Sequence, residues 1–391
     1  MISFDEALRI INSHVLIKEP EIIDIRNAYN RVLAKDVVSD INVPPFNKSA
    51  MDGFAIRRQD LRNELTIIET IKAGDLPTKK LQQNECAQIM TGAPLPDGAD
   101  CVIMVEMTEN IGFNKIRFTG TDTKNNISLM AEDIKQGDIV LKKGTLLRPQ
   151  ELAILATSGC SKPLVYRLPK VALLTTGSEI VEPDMIPDKG KIRNSNAYQL
   201  IGQLQSIGIE PDYMGIVEDS EEATYRAITD ALKKNDVVLM TGGISMGDYD
   251  FVPSVLKRAG VNILVHSIAI KPGKPTLFGK KDKAFIFGLP GNPVSSFTTF
   301  ELFAKPFIQA MSGHPVRTND MVGTLKNDFK QKHSDRMTWL PVFIDENHEV
   351  NMLKYHGSAH IYALCYANAL MRIEAGVSEI KAGEKVYVRQ I

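Results

Sequence analysis

Four cysteines in 391 residues (Cys86, Cys101, Cys160 and Cys365) are too scattered for a disulfide framework, and no C-x-x-C pair offers a zinc site. Buried, reduced thiols in a cytoplasmic protein are the expectation. The chain also lacks an excess of either charge. It has 46 basic and 47 acidic residues, a net charge of −1, and so no overall pull toward nucleic acid or an anionic membrane. No run approaches the roughly 20 apolar residues of a membrane span. Ser3-Phe4-Asp5-Glu6 reads as a capping box, and Phe4, Ala7, Leu8 and Ile11 follow at helical spacing. Acidic residues stand where a secretory signal needs apolar ones. The motifs G-x-G-x-x-G, G-x-x-x-x-G-K-[ST] and H-E-x-x-H are absent. That disfavours a dinucleotide enzyme, a Walker-type NTPase and a zinc protease.

What is present is a composition of 43% apolar and 24% charged residues, in a chain long enough for about two to four domains. Residues 1–45 read as two short helical pieces and an extended segment ending in Val43-Pro44-Pro45. Residues 46–126 carry β-like runs such as Leu65–Ile68 and Cys101–Val105, punctuated by Asp52-Gly53, Gly92-Ala93-Pro94 and Pro96-Asp97-Gly98, and form a small β domain. Residues 127–167 hold two Gly turns and a helix starting near Pro149. From Val171–Thr175, a continuous apolar run suited to a buried parallel strand, strands and helices alternate to about residue 312. Asn194 is placed to cap one helix, Asn292-Pro293 to open another, and Pro306 to kink or end it. The tail, 315–391, reads as a small β barrel or sandwich.

The densest chemistry lies in 236–293. Thr241-Gly242-Gly243, Lys271-Pro272-Gly273-Lys274-Pro275 and Leu289-Pro290-Gly291-Asn292-Pro293 each follow a strand, and Thr176-Gly177-Ser178-Glu179 follows an earlier one. In an open α/β sheet such turns gather along one edge, where ligands bind. Glycine admits close backbone approach, and free N–H groups at a helix start favour anions. A phosphorylated small molecule is the expected ligand. Lys271 and Lys274 suit a phosphate cradle, whereas Lys280, Lys281 and Lys283 suit a solvated face. Asp52, Asp133, Glu179, Asp219, Asp248 and Asp250 sit beside glycine or turn residues. Each alone suits a turn or a cap, and several together around a phosphate suit Mg²⁺. His356 and His360 are four apart but flank a Gly-Ser turn, which argues against a metal pair.

Pro45-Phe46-Asn47-Lys48-Ser49-Ala50-Met51-Asp52-Gly53-Phe54-Ala55 resembles the signature of the molybdopterin molybdenumtransferases, the MoeA family that includes the C-terminal part of gephyrin. Ile89–Pro94, Thr175–Glu179, Gly242–Asp250, Lys271–Pro275 and Leu289–Pro293 match five further blocks in order. The resemblance implies a central molybdopterin-binding α/β/α domain (168–314), an elongated N-terminal α+β domain (1–45 with 127–167), a small β domain (46–126) and a C-terminal β-barrel domain (315–391). It implies insertion of molybdate into adenylated molybdopterin, with Mg²⁺-dependent release of AMP. It further implies a homodimer in which Asp52, Thr91 and Asp133 of one subunit face Glu179, Asp219, Asp250 and Lys271 of the other.

Within that resemblance, Glu179, Asp219 and Asp250 are the metal candidates, and Ser245 with Asp250 would position metal and water. Thr176, Gly177, Gly242, Gly243, Ser245, Lys271, Gly273, Lys274, Pro275, Pro290, Gly291, Asn292, Pro293, Ser295 and Ser358 would bind the cofactor or the oxyanion. Implied transient partners are a molybdopterin adenylyltransferase and apo-molybdoenzymes. Asn47, Ser128, Ala131, Ser267 and Pro341 depart from the family pattern: Ala131 replaces a usual glycine, and Ser267 and Pro341 replace basic residues. Two other readings are an adenylyltransferase acting on molybdopterin and a gephyrin-like scaffold without catalysis. The flanking domains argue against the first, and the lack of a long linker argues against the second.

Overall fold

A computed structural model of the protein describes residues 1–243, 251–315 and 320–391. They form two compact units, one of Ile22–Tyr29 with Lys35–Leu164, the other of Met1–Glu21 and Asn30–Ala34 with the chain from Val165 onward. Helix α1 (Phe4–Ser13) starts where the Ser3 hydroxyl accepts from the Glu6 N–H at 3.1 Å. Its buried face is Phe4, Ala7 and Ile11, and Phe4 packs against Phe303 and Trp339 with ring centroids 5.5 and 5.6 Å away. The apolar face of α1 finds its partners in the second unit, and Ile2 exchanges backbone hydrogen bonds with Ser267 and Ala269 there.

The first unit holds a six-stranded sheet of β1 (Gly53–Ile56), β2 (Glu64–Ile71), β3 (Glu85–Ile89), β4 (Cys101–Met104), β5 (Thr108–Gly112) and β6 (Lys115–Phe118), ordered β4-β1-β3-β2-β6-β5. Alternation along β1 sends Phe54 and Ile56 into one apolar cluster and Ala55 into another. Gly53 is obligatory, because a Cβ there would stand 1.8 Å from the Ile103 carbonyl oxygen. Helix α2 (Pro149–Thr157) opens with Pro149 at its first position, as the sequence predicts.

Three loops of this unit are tied together by hydrogen bonds. Ser49 and Lys48 pair with Ile127 and Ser128, the Gly92 N–H donates to Ser49 O, and Asn47 Oδ1 accepts from the Met130 N–H at 2.8 Å. Ala131 sits in this cluster at φ +61°, a left-handed conformation that a side chain disfavours. Ala131→Gly is expected to stabilise the protein by about 0.5–1 kcal/mol, the strain relief outweighing the extra freedom of glycine in the unfolded chain. A denaturant melt checks this, and an unchanged or lowered midpoint would refute it.

The second unit is built on β7 (Val171–Thr176), the short strands β8 (Ile180–Val181) and β9 (Ile192–Arg193), α3 (Ser195–Gln205), β10 (Asp212–Val217), α4 (Glu221–Lys234), β11 (Val237–Thr241), α5 (Val252–Arg258), β12 (Asn262–Val265), β13 (Leu277–Lys281), β14 (Ala284–Leu289), α6 (Pro293–Thr299) and α7 (Lys305–Met311). The main sheet runs β10-β7-β11-β14-β13-β12; its first four strands are mutually parallel, and β13 runs antiparallel to both of its neighbours, so β12 points the same way as the first four. β7 and β11 are buried throughout. Val171 and Leu173 join one core with α3 and α7, while Ala172 and Leu174 join the other with α4 and α5. Burial on both faces explains the unbroken apolar runs. Pro306 does not end its helix. A wide turn over Phe300–Ala304 precedes it and absorbs the missing N–H, and α7 continues to Met311.

The tail closes into a barrel, as the resemblance implies. Strands β15 (Asp320–Leu325), β16 (Met337–Ile344), β17 (Glu349–Met352), β18 (Ala369–Ile373) and β19 (Lys385–Gln390) run in the order β16-β17-β15-β19-β18, and β18 pairs back to β16. Ile270 and Lys271 pair with Met337 and Thr338 at the start of β16, which hydrogen-bonds the lysine turn to the barrel within this unit.

Candidate active site

Parallel register brings the turns of the α/β sheet together. Thr175 lies beside Thr241, and Thr241 beside Leu289, so the carboxyl ends of β7, β11 and β14 share one edge. β7 is followed by β10 on one side and β11 on the other, and the point where the order reverses is where ligands bind in such sheets. Gly242, at φ +87°, packs so closely that a Cβ would stand 2.2 Å from the Thr176 carbonyl oxygen. A cleft of about 870 Å³ opens at this edge. It gathers Thr176, Glu179, Gly242, Lys271, Gly273, Lys274, Pro275, Pro290, Gly291, Asn292, Pro293, Ser295 and Ser358 from the expected set. Gly177 precedes Glu179, whose carboxylate occupies space that a Gly177 Cβ would contest at 2.8 Å. Gly243 follows Gly242 on the exposed side. Ser245, Asp248 and Asp250 lie outside the described residues.

The lysine turn is braced from below. The Thr276 hydroxyl donates to Gly273 O at 2.7 Å, and the Ile268 N–H donates to Lys274 O at 3.0 Å. Lys271 and Lys274 are exposed. Ser358 reaches the cleft because its loop docks on the start of α6: its carbonyl accepts from the Val294 N–H and its hydroxyl from Asn292 Nδ2, both at 3.0 Å. Asn292 stands at the N-cap, as the sequence predicts, yet its side chain makes this bond across 66 residues instead of capping.

The cleft also holds residues that the sequence reading missed. Arg193, Arg336 and Tyr355 line it. Arg336 donates to the Ile270 carbonyl at 3.3 Å, which aims its guanidinium beside the lysine turn. Burial pushes the Tyr355 phenol up to about 12, so it stays neutral. No motif marked these three, because each reaches the cleft through long-range packing.

Asp52, Thr91 and Asp133 belong to the first unit. Asp52 Oδ1 accepts from the Thr91 N–H at 2.6 Å and the Thr91 hydroxyl at 2.8 Å, in that order of effect, which holds its carboxyl below the usual range. Asp133 is exposed, and its N–H donates to Val43 O. Asp219 lies between β10 and the Ser220 cap of α4, outside the residues that line the cleft. Among the described residues no group of three His, Cys, Asp or Glu could hold a metal ion alone. His356 and His360 stack at 5.0 Å. The four cysteines are free. Cys86 and Cys101 are buried, with burial pushing the Cys86 thiol up to about 12, but Cys365 is exposed, against expectation.

A cationic cleft at the switch point of a parallel sheet, in a chain that ends in a closed barrel, defines a protein that handles a phosphorylated or oxyanionic small molecule. Residues 2–159 match the MoeA N-terminal region (domain I and II), 172–310 a probable molybdopterin binding domain, and 322–391 the MoeA C-terminal region (domain IV). The chain belongs to the MoeA family. It is 35% identical to a molybdopterin molybdenumtransferase of Staphylococcus epidermidis, over 99% of this chain and 95% of that protein. It is 33% identical to one of Staphylococcus aureus, over 93% and 89%. A crystal structure of the molybdopterin biosynthesis MoeA protein of Pyrococcus horikoshii OT3 superposes with a TM-score of 0.84 at 32% identity, covering the whole of both chains.

Proposed function

We propose that the protein is a molybdopterin molybdenumtransferase, which inserts molybdate into adenylated molybdopterin and releases AMP. The observation that carries this is the gathering of Lys271, Lys274, Arg193 and Arg336 around one glycine-lined cleft in a chain of this family. Molybdate and a phosphoanhydride are both anions, and ammonium and guanidinium groups meet their oxygens with charge-assisted hydrogen bonds. Lys271 and Lys274, with Ser295 and Ser358, would hold molybdate. The strand-end turns at Thr176-Gly177 and Gly242-Gly243, with Ser245, and the Pro290–Pro293 turn would hold the pterin and its phosphates.

Mg²⁺ takes one or two carboxylates beside phosphate oxygens and water, so Glu179 on the cleft wall fits such an ion without a three-carboxylate cage. Asp219 and Asp250 are the further ligands that the family pattern implies. Bound there, Mg²⁺ would offset charge on the leaving phosphate.

The working form would be a homodimer in the cytoplasm, with Asp52, Thr91 and Asp133 supplied to the cleft of the partner subunit. Large apolar side chains exposed beside Asp52 and Thr91, namely Met51, Met90, Leu129 and Met130, support a covered surface there. The substrate would come from a molybdopterin adenylyltransferase, and the product would pass to apo-molybdoenzymes. We read the chain as four domains along the boundaries given above.

Subunit mixing tests the shared site. Asp52→Asn and Lys271→Ala should each be inactive alone. Co-refolded in equal amounts, they should recover about a quarter of wild-type AMP release, because half the dimers are mixed and each has one intact site. No recovery, with dimers present, would place each cleft within one subunit.

A further inference from the structure

Glu179 and Arg193 reach the cleft on a two-stranded flap whose strands β8 and β9 pair in parallel, Ile180 with Ile192 and Val181 with Arg193. The Ile192 N–H donates to Glu179 O, and the Asn194 N–H to Val181 O, both at 2.8 Å. Behind the flap lies a second cavity of about 1000 Å³, lined by Glu182, Tyr198, Phe297 and Leu364. Arg193, Asn194 and Ser195 line both cavities, so this segment is a thin wall between them. Arg193 and Ser195 are exposed to solvent while Asn194 between them is buried, so the segment depends largely on the directed bonds of its inward-facing side chains.

Those bonds are present. Just beyond β8, Glu182 Oε1 accepts from the Tyr213 hydroxyl at 2.6 Å and Oε2 from the Tyr198 hydroxyl at 3.1 Å. Just beyond β9, the buried Asn194 donates from Nδ2 to the Tyr213 oxygen at 2.8 Å and to Thr175 Oγ1 at 3.4 Å, while its Oδ1 accepts from the Ala197 N–H. One hydroxyl, on β10 at the edge of the main sheet, thus anchors both flap strands. Burial and then the Glu182 carboxylate push the Tyr213 ionisation upward, so it remains a neutral donor.

We propose that Glu182, Tyr213 and Asn194 are positioning residues that fix the flap, and with it Glu179 and Arg193, for molybdate insertion. The proposal rests on the activity assigned above and deepens it.

The test uses the full-length protein with Tyr213→Phe and Glu182→Gln, each checked for folding by its thermal midpoint. Hydrogen exchange should rise in residues 178–194 in both variants and stay unchanged in β11 and the barrel. Molybdate-dependent AMP release should lose at least about tenfold in kcat with little change in KM for the adenylate. The Mg²⁺ concentration for half-maximal rate should rise about tenfold, as when an outer partner of a metal ligand is lost. Tyr198→Phe removes only the exposed bond and should stay within about twofold of wild type. Unchanged flap exchange would overturn the proposal whether or not the protein is active, and so would a kcat loss with an unmoved Mg²⁺ requirement. If Tyr213→Phe fails to fold, Glu182→Gln, which keeps size and one acceptor, decides alone. A wild type that releases no AMP rejects the activity, and the exchange result still decides whether the network holds the flap.

Discussion

Lys271→Ala is expected to lower molybdate-dependent AMP release by about 100-fold or more, the usual cost of removing a charged donor aimed at a reacting oxyanion. The Lys271 side chain is exposed at the cleft, while its backbone pairs with Thr338 and stands on a braced turn. Alanine removes the charge and leaves that backbone ladder intact, so the thermal midpoint should move little. Lys271→Arg keeps the charge but changes a compact ammonium into a planar fork, and should recover only part of the rate. The measurement is kcat and KM for molybdate beside a melting curve. A full rate in Lys271→Ala would remove this residue from oxyanion binding and leave Lys274, Arg193 and Arg336 as the cations of the cleft.

Gly242→Ala should be the most damaging of the conservative changes at the cleft. At φ +87° a Cβ costs about 1–2 kcal/mol in backbone strain. The same Cβ would stand 2.2 Å from the Thr176 carbonyl oxygen, so the ends of β7 and β11 must part. Together these predict a loss of about 3 kcal/mol and a cleft that no longer binds the adenylate. Gly74→Ala is the control. It has φ +94° but nothing within 4 Å of the added Cβ, so it should cost only the backbone strain and leave activity unchanged. Equal destabilisation in the two variants, with full activity in Gly242→Ala, would contradict the close-approach argument.

The parts of this protein that are legible in its sequence are those decided by neighbours in the chain. Val171–Thr175 reads as a buried strand because five consecutive residues are apolar or small enough for two covered faces, and the strand, which extends to Thr176, is buried throughout. Glycine and proline mark the turns at 242, 273 and 291, and parallel register then places those turns on one edge. What stays hidden depends on distant partners. Asn292 looks like a helix cap, but a serine 66 residues away takes its side chain. Arg193, Arg336 and Tyr355 carry no motif and reach the cleft only through the flap, the start of β16 and the segment after β17. α1 reads correctly as a helix, yet its partner unit cannot be inferred from a stripe of Phe4, Ala7 and Ile11 that would suit any apolar surface. Pro306 reads as a kink or an end, because nothing local announces that the wide turn before it will absorb the lost hydrogen bond.

The reaction itself is tested by AMP release from adenylated molybdopterin by the purified protein with Mg²⁺, with and without molybdate. Release should depend on molybdate and yield a product able to activate an apo-molybdoenzyme. Binding without release, or synthesis of the adenylate from ATP and molybdopterin, would contradict it.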